Sequence, residues 1–202
     1  MSATHADTIV MPTRKSPVPA VTFAGLILVL AILPAFVYPI FVMKLLCFVL
    51  FAAAFNLLLG YTGLLSFGHA AFFGGAAYVT AHALKLWQVT PELAIIAGVV
   101  SSIVLGLIIG VVAIRRQGIY FAMITLAMAQ MFYFFCLQAP FTNGEDGIQG
   151  FSRGNLFGVI DLNETMNLYY FIAAVSVLSL ALIWRIVNSP FGQILRAIRE
   201  NE

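Results

Sequence analysis

The stretch Asn56–Val79, NLLLGYTGLLSFGHAAFFGGAAYV, decides how the rest of the chain is interpreted. Long apolar runs flank it, yet glycines and polar side chains interrupt the stretch itself. Polar groups at membrane depth are costly unless they find partners or line a watery cavity. Glycine at that depth either breaks a helix or lets two helices approach closely. An interrupted segment of this kind is typical of a transport pathway.

A small set of residues is predicted to line this pathway. Neutral donors and acceptors suit a small polar solute better than an ion, because no carboxylate in the stretch would balance a cation. The alternative is that the hydroxyls bond to helix carbonyls and that the histidine is an ordinary interior residue. Thr125 belongs to a later apolar run and could instead hold helices together. The candidates are Tyr61, Thr62, Gly63, Ser66, Gly68, His69 and Thr125.

The composition places the chain in a membrane. Of its 202 residues, 62% are hydrophobic and 9% are charged, whereas soluble domains have about 45–50% apolar and about 25% charged residues. A net charge of +2 is too small to indicate nucleic-acid binding. Cys47 and Cys136 lie in apolar runs and are predicted to be packing residues, and no His/Cys cluster has the spacing of metal ligands.

The hydrophobic pattern predicts an all-α, polytopic transmembrane bundle of about six spans over residues 21–187, one of them broken by glycines. Residues 1–20 are predicted to be a disordered cytoplasmic tail. Pro34 and Pro39 predict a kink or an early end in the first span. The predicted spans are Val21–Val42, Leu45–Leu59, Leu64–Leu84, a fourth from the helix start at Thr90–Glu92 to Ile114, Ile119–Ala139 and Leu168–Val187.

Basic residues predict the orientation, since Lys and Arg favour cytoplasmic loops. Three basic sites lie on one side only if the chain crosses six times with its N-terminus inside. They are Arg14/Lys15, Arg115/Arg116 and Arg185/Arg196/Arg199. The loop Pro140–Asn167, whose only basic residue is Arg153, is then external.

The segment 188–202 is predicted to be a cytoplasmic amphipathic helix. Ser189 can cap it, and Pro190 can open it. Its apolar residues fall at helical spacing on one face, and its charges balance. A neutral amphipathic helix suits a protein groove better than an anionic lipid surface. The alternative is a helix lying flat in the membrane interface. The apolar face comprises Phe191, Ile194, Leu195 and Ile198.

Four segments together resemble one family. They are GYTGLLSFGHAAFFGGAAYV at 60–79, RRQGIYFAMITLA at 115–127, FTNGEDGI at 141–148 and SPFGQILRAIRENE at 189–202. The chain is similar, from about Lys44 to its last residue, to the LivM-type permease subunit of branched-chain amino acid ABC importers. Sibling permeases for urea and short amides look much the same, so the resemblance leaves the solute open.

The resemblance implies a membrane-spanning permease subunit of the cell inner membrane. Its partners would be a second permease subunit, cytoplasmic ATP-binding subunits, an extracytoplasmic solute-binding protein at the external loop, and the lipid bilayer. The 60–79 segment matches the translocation core, and the tail matches the motif that docks on the ATP-binding subunit. The implied coupling residues are Phe191, Gly192, Leu195, Arg196, Arg199 and Glu200.

The chain is expected to be neither an enzyme nor an ATP binder. It has no G-x-x-x-x-G-K-[ST] sequence, so partner subunits would bind ATP. No cofactor is expected, and Ser66 and His69 form no nucleophile–base arrangement with a carboxylate. An ATP-independent facilitator of a small neutral solute is the main alternative. Because the family continues through further spans, the chain is expected to be the N-terminal portion of a longer permease, with an incomplete coupling helix.

Overall fold

A computed structural model describes residues 18–116 and 118–200, which form an all-α bundle as predicted. Most of the predicted tail, residues 1–17, lies outside the described residues, as do residues 201–202. The helices are α1 (Val18–Ile32), α2 (Pro39–Thr62), α3 (His69–Lys85), α4 (Pro91–Ala113), α5 (Gly118–Gln138), α6 (Thr165–Val187) and α7 (Pro190–Glu200).

Four of these helices, α2, α4, α5 and α6, are long and apolar enough to cross a membrane. Helices α1 and α3 have 15 and 17 residues. At about 1.5 Å per residue each is somewhat shorter than a hydrocarbon core of about 30 Å. The chain is therefore a polytopic membrane bundle with four full-length apolar helices and two shorter ones.

Pro34 and Pro39 divide the first two helices, in agreement with the early end predicted for the first span. Helix α1 ends at Ile32, a 3-10 turn follows at Leu33–Ala35, and α2 begins at Pro39. A proline in the first helical turn leaves no hydrogen bond unmade, so Pro39 starts a helix instead of kinking one. Helix α2 consequently begins six residues before the predicted Leu45.

The glycine-rich stretch breaks the chain between α2 and α3. Gly63 has a φ of +76° and ends α2 in the left-handed conformation, which glycine adopts without strain. Residues 64–68, predicted to open the third span, are not helical, and α3 begins only at His69. We call Gly63–Gly68 the connector.

Successive helices run in alternating directions. On one side of the bundle, Gly68 at the start of α3 lies against Ile109 near the end of α4. On the other side, Tyr169 near the start of α6 contacts Leu30 near the end of α1. We call these the α7 side and the loop side. The alternation agrees with six crossings, while the cytoplasmic location of the N-terminus stays a prediction.

The buried core lies where α1, α2 and α6 meet. Tyr169 is fully buried there, and its hydroxyl donates a hydrogen bond of 2.7 Å to the carbonyl oxygen of Leu30. The remaining members of this cluster are Val42, Met43, Leu46 and Ala173. The hydrogen bond joins α6 to the last turn of α1, where helix carbonyls lack partners of their own.

Replacing Tyr169 with Phe is expected to lower the free energy of unfolding by about 1 kcal/mol, because it leaves the Leu30 carbonyl unpaired in a buried site. Unfolding of the purified permease in mixed micelles measures the change. Tyr170→Phe is the matched control, since Tyr170 is 51% exposed. Equal stability of the two variants would contradict this assignment.

Helices α3 and α4 pack closely through small residues. A Cβ on Gly98 of α4 would collide with Thr80, and one on Gly75 of α3 would lie 2.6 Å from Leu105. The spacing of Gly106 and Gly110 predicts either a tight helix crossing or a chance pair. Outside α4 itself, no described residue comes within 4 Å of where a Cβ on either glycine would be, so no other described helix crosses α4 tightly there.

The loop between α5 and α6 is ordered by local turns. It contains 3-10 turns at Pro140–Thr142 and Gly144–Asp146, and a short antiparallel pair, β1 (Asn155–Leu156) and β2 (Ile160–Asp161). Thr142 is fully buried, and its hydroxyl donates to the carbonyl oxygen of Ala139 at 2.7 Å. The predicted external loop is thus a folded surface fixed to the end of α5.

Candidate functional site

A hydrogen bond joins the connector to α5. The backbone N–H of Phe67 donates to Thr125 Oγ1 at 3.1 Å, and Thr125 Oγ1 donates to the carbonyl oxygen of Ala122 at 3.0 Å. Thr125 lies seven residues beyond Gly118, the start of α5, which is roughly 10 Å of helix. The connector therefore enters the bundle from the α7 side to about a third of its depth.

The hydroxyl groups near the connector bond to nearby backbone atoms. Thr62 Oγ1 donates to the carbonyl oxygen of Leu58, one turn earlier in α2. Ser66 Oγ accepts a hydrogen bond from the N–H of Gly68 at 3.2 Å. Bonds of this kind satisfy the polar groups without a solute. They match the alternative in which the hydroxyls are structural, so a pathway role for Thr62, Ser66 and Thr125 stays a prediction.

His69 lies at the start of α3 in an aromatic surrounding. Its Nδ1 is 3.4 Å from the carbonyl oxygen of Ser66. The rings of Phe51, Phe55 and Phe72 meet the imidazole edge-on, with the nearest centroid, that of Phe55, at 5.4 Å. The ring is half-buried, and it joins the connector to the cavity described next.

A cavity of about 660 Å³ lies between α2, α3, α4 and α6. Aliphatic and aromatic side chains form most of its wall, and Phe151 of the loop lies at one end. Its polar lining residues other than Cys47 are His69, Thr80, Ser102 and Ser176. Of the predicted pathway residues in the described chain, His69 alone lines this cavity, and the others lie around the connector.

Sequence reasoning missed Thr80, Ser102 and Ser176. Thr80 follows His69 by three helical turns, so the two share a face of α3, and that periodicity could have identified it. Ser102 and Ser176 belong to other helices. Ser102 donates to the carbonyl oxygen of Phe72 at 3.0 Å, and Ser176 is buried. Only the packing of the helices places them on the same cavity.

The turn between α6 and α7 is tight and depends on Gly192. A Cβ at this buried position would collide with the carbonyl group of Val187. Ser189, predicted to cap α7, donates its hydroxyl backwards to the carbonyl oxygen of Ile186 at 2.6 Å. The side chain therefore fixes the end of α6, because helix ends carry unpaired carbonyls.

The predicted coupling residues of α7 divide between two faces. Phe191, Ile194 and Ile198 are 58%, 57% and 48% exposed and form an apolar stripe, while Leu195 is half-buried. The two arginines of α7 point at the end of α2. Glu200 is the last residue of α7, and its side chain lies outside the described part of the chain.

The two arginines bring the predicted coupling helix onto the predicted pathway. Arg199 Nη1 donates to the carbonyl oxygen of Gly60 at 2.7 Å. The guanidinium carbon of Arg196 lies 5.0 Å from the ring centroid of Tyr61, in cation–π geometry. The last turn of α2, the connector and α7 thus form one continuous cluster.

Comparison with known proteins identifies the family. The family model described as "Branched-chain amino acid transport system / permease component" matches residues 38–202. The high-affinity branched-chain amino acid transport system permease protein LivM of Salmonella typhimurium is 26% identical over 183 residues, and LivM of Escherichia coli is equally similar. Each alignment covers 77% of this chain and 42% of the relative, so the chain spans less than half of their length. No solved structure matches.

The family match covers the connector, the cavity and α7, the features that the structure brings together. With four helices able to cross a membrane, the protein is a multi-pass protein of the inner membrane. Membership of a permease family implies a transporter rather than an enzyme. The chain belongs to the family of branched-chain amino acid transport permease components.

Proposed function

We propose that the chain is part of the membrane-spanning subunit of an ATP-driven importer that carries branched-chain amino acids. The observation that carries the proposal is the family match over residues 38–202, which includes both the connector and α7. The relatives named as high-affinity branched-chain amino acid permeases support the substrate class.

The character of the cavity favours an aliphatic solute. Its volume of about 660 Å³ falls within the range of roughly 300–1,000 Å³ that is usual for ligand sites. An apolar wall stabilises a branched aliphatic side chain by removing it from water. Urea has no such group, so the apolar wall offers it no comparable stabilisation. The cavity therefore supports leucine, isoleucine or valine over urea and short amides.

The apolar stripe of α7 supports an ATP-binding partner. Phe191, Ile194 and Ile198 are exposed on a short helix that lies against the ends of α2 and α6. Such a stripe suits a groove on a second protein. On the predicted orientation the stripe is cytoplasmic, where ATP is available, and the folded α5–α6 loop faces the solute-binding protein outside. A second permease subunit would complete the assembly.

An ATP-independent facilitator is the second candidate. It would use the same connector and cavity, but it would need no exposed stripe on α7. The exposed stripe therefore favours the importer.

Uptake of labelled leucine by cells that carry or lack the intact parent gene tests the substrate. Gene-dependent uptake should fall when unlabelled isoleucine or valine is added in excess and should be unaffected by urea or acetamide. Uptake that urea suppresses and isoleucine leaves unchanged would overturn the assignment to branched-chain amino acids.

A further inference from the structure

The last turn of α2 has carbonyl oxygens with no helical partner. The final four carbonyls of any α-helix lack an N–H from a following turn, and Gly60 belongs to this group because α2 ends at Thr62. Arg199 Nη1 donates to the Gly60 oxygen at 2.7 Å. A guanidinium here also meets the negative end of the helix dipole. Arg199 is therefore a cap supplied to α2 by a helix 139 positions later in the chain.

Glycine at position 63 lets the arginine side chain lie across this turn. A Cβ on Gly63 would be 3.3 Å from Cγ of Arg199, closer than most real Cβ contacts. Arg196, one helical turn before Arg199, has its guanidinium over the ring of Tyr61. Two consecutive residues of α2, Gly60 and Tyr61, are thus each held by one arginine of α7.

The same cluster continues from α7 to the interior of the bundle. Helix α7 is joined to α6 by a tight turn, across which Gly192 lies against the Val187 carbonyl. Its arginines hold the end of α2, the connector begins at Gly63, and the connector is bonded to Thr125 of α5. A displacement of α7 consequently reaches the connector through the last turn of α2, without passing along the length of α6.

We infer that Arg199, together with Arg196, is a positioning residue that passes movement of α7 to the connector by holding the last turn of α2. The inference deepens the proposed function and rests on it, since the movement of α7 would come from an ATP-binding partner. The arginines contact α2 of the same chain, so the apolar stripe of α7 remains exposed for the ATP-binding partner.

The test uses the complete importer in proteoliposomes and measures leucine taken up per ATP hydrolysed. Arg199→Gln removes the charge and the forked donor, and the ratio is expected to fall roughly tenfold, in line with the loss of a charge-assisted hydrogen bond. Gln193→Ala is the matched control, because Gln193 is an exposed α7 residue outside the cluster. It should keep the wild-type ratio.

The ratio separates positioning from a purely structural role. A variant that only lowered the amount of assembled importer would reduce uptake and ATP hydrolysis together and leave their ratio unchanged. If Arg199→Gln does not assemble, Arg199→Lys serves as the second variant. Lysine restores the charge but not the planar set of N–H donors of the guanidinium. The leucine-to-ATP ratio of Arg199→Lys should therefore lie between those of Arg199→Gln and wild type, roughly threefold below wild type.

The outcomes distinguish this inference from the function on which it rests. A wild-type importer that hydrolyses ATP without importing leucine would overturn the proposed function. A wild-type importer that transports leucine, with an unchanged ratio in the assembled Arg199 variant, would overturn the positioning role alone.

Discussion

A permease carrying Gly63→Leu is expected to insert into the membrane and to lose at least nine-tenths of its uptake, a drop of about tenfold. Gly63 ends α2 with a φ of +76°, a conformation that costs a branched side chain on the order of 1–3 kcal/mol. Its new side chain would also meet Arg199. Both effects displace the turn that joins α2 to the connector.

The matched control for this variant is Gly68→Ala at the other end of the connector. Gly68 has an ordinary right-handed φ of −69°, and a Cβ there would meet its neighbours at 3.5 Å or more. Alanine should therefore be tolerated. Gly68→Leu should abolish uptake by crowding, since Phe72 and Ile109 lie next to that position. Uptake measured at equal amounts of permease in the membrane checks all three variants. Full uptake by Gly63→Leu would contradict a role of the connector in transport.

The second large effect is expected from Gly192→Ala, which should reduce uptake by at least about tenfold and weaken co-purification of the ATP-binding subunits. The added Cβ would collide with the Val187 carbonyl, whose carbon would be only 2.7 Å away. Since backbone cannot move aside as a flexible side chain can, α7 must rotate or detach.

Gly110→Ala provides the comparison for Gly192→Ala. Gly110 lies within α4 with open space around it, and alanine stabilises a helix by up to about 1 kcal/mol relative to glycine. It should leave uptake and co-purification at wild-type levels. Normal co-purification and uptake in Gly192→Ala would show that the α6–α7 turn tolerates displacement.

Local sequence chemistry predicts much of the fold. Pro34 and Pro39 mark the division between α1 and α2, because proline interrupts or opens helices. The glycines after Asn56 predict a break, and Gly63 is the residue at which α2 ends. The predicted start of α3 is wrong by several residues, since Leu64 and Leu65 are as apolar as the helix that follows them and hydropathy alone does not separate the two.

The candidate site is less accessible to sequence reasoning, because its parts are distant along the chain. Helix α7 resembles a coupling motif, and residues 60–79 resemble a translocation core. Neither resemblance predicts that the two segments are in contact. The bond from Arg199 to Gly60 links positions 139 apart. Ser102 and Ser176 likewise carry no local pattern, and only helix packing brings them to the cavity wall.

We expect ATP hydrolysis by a partner subunit to drive leucine through this bundle. The most direct measurement is uptake of labelled leucine in cells with the intact parent gene, before and after ATP depletion, with the ion gradients clamped. Gene-dependent uptake is expected to disappear when ATP is lost. Uptake that survives ATP depletion would contradict it and would identify the protein as a facilitator.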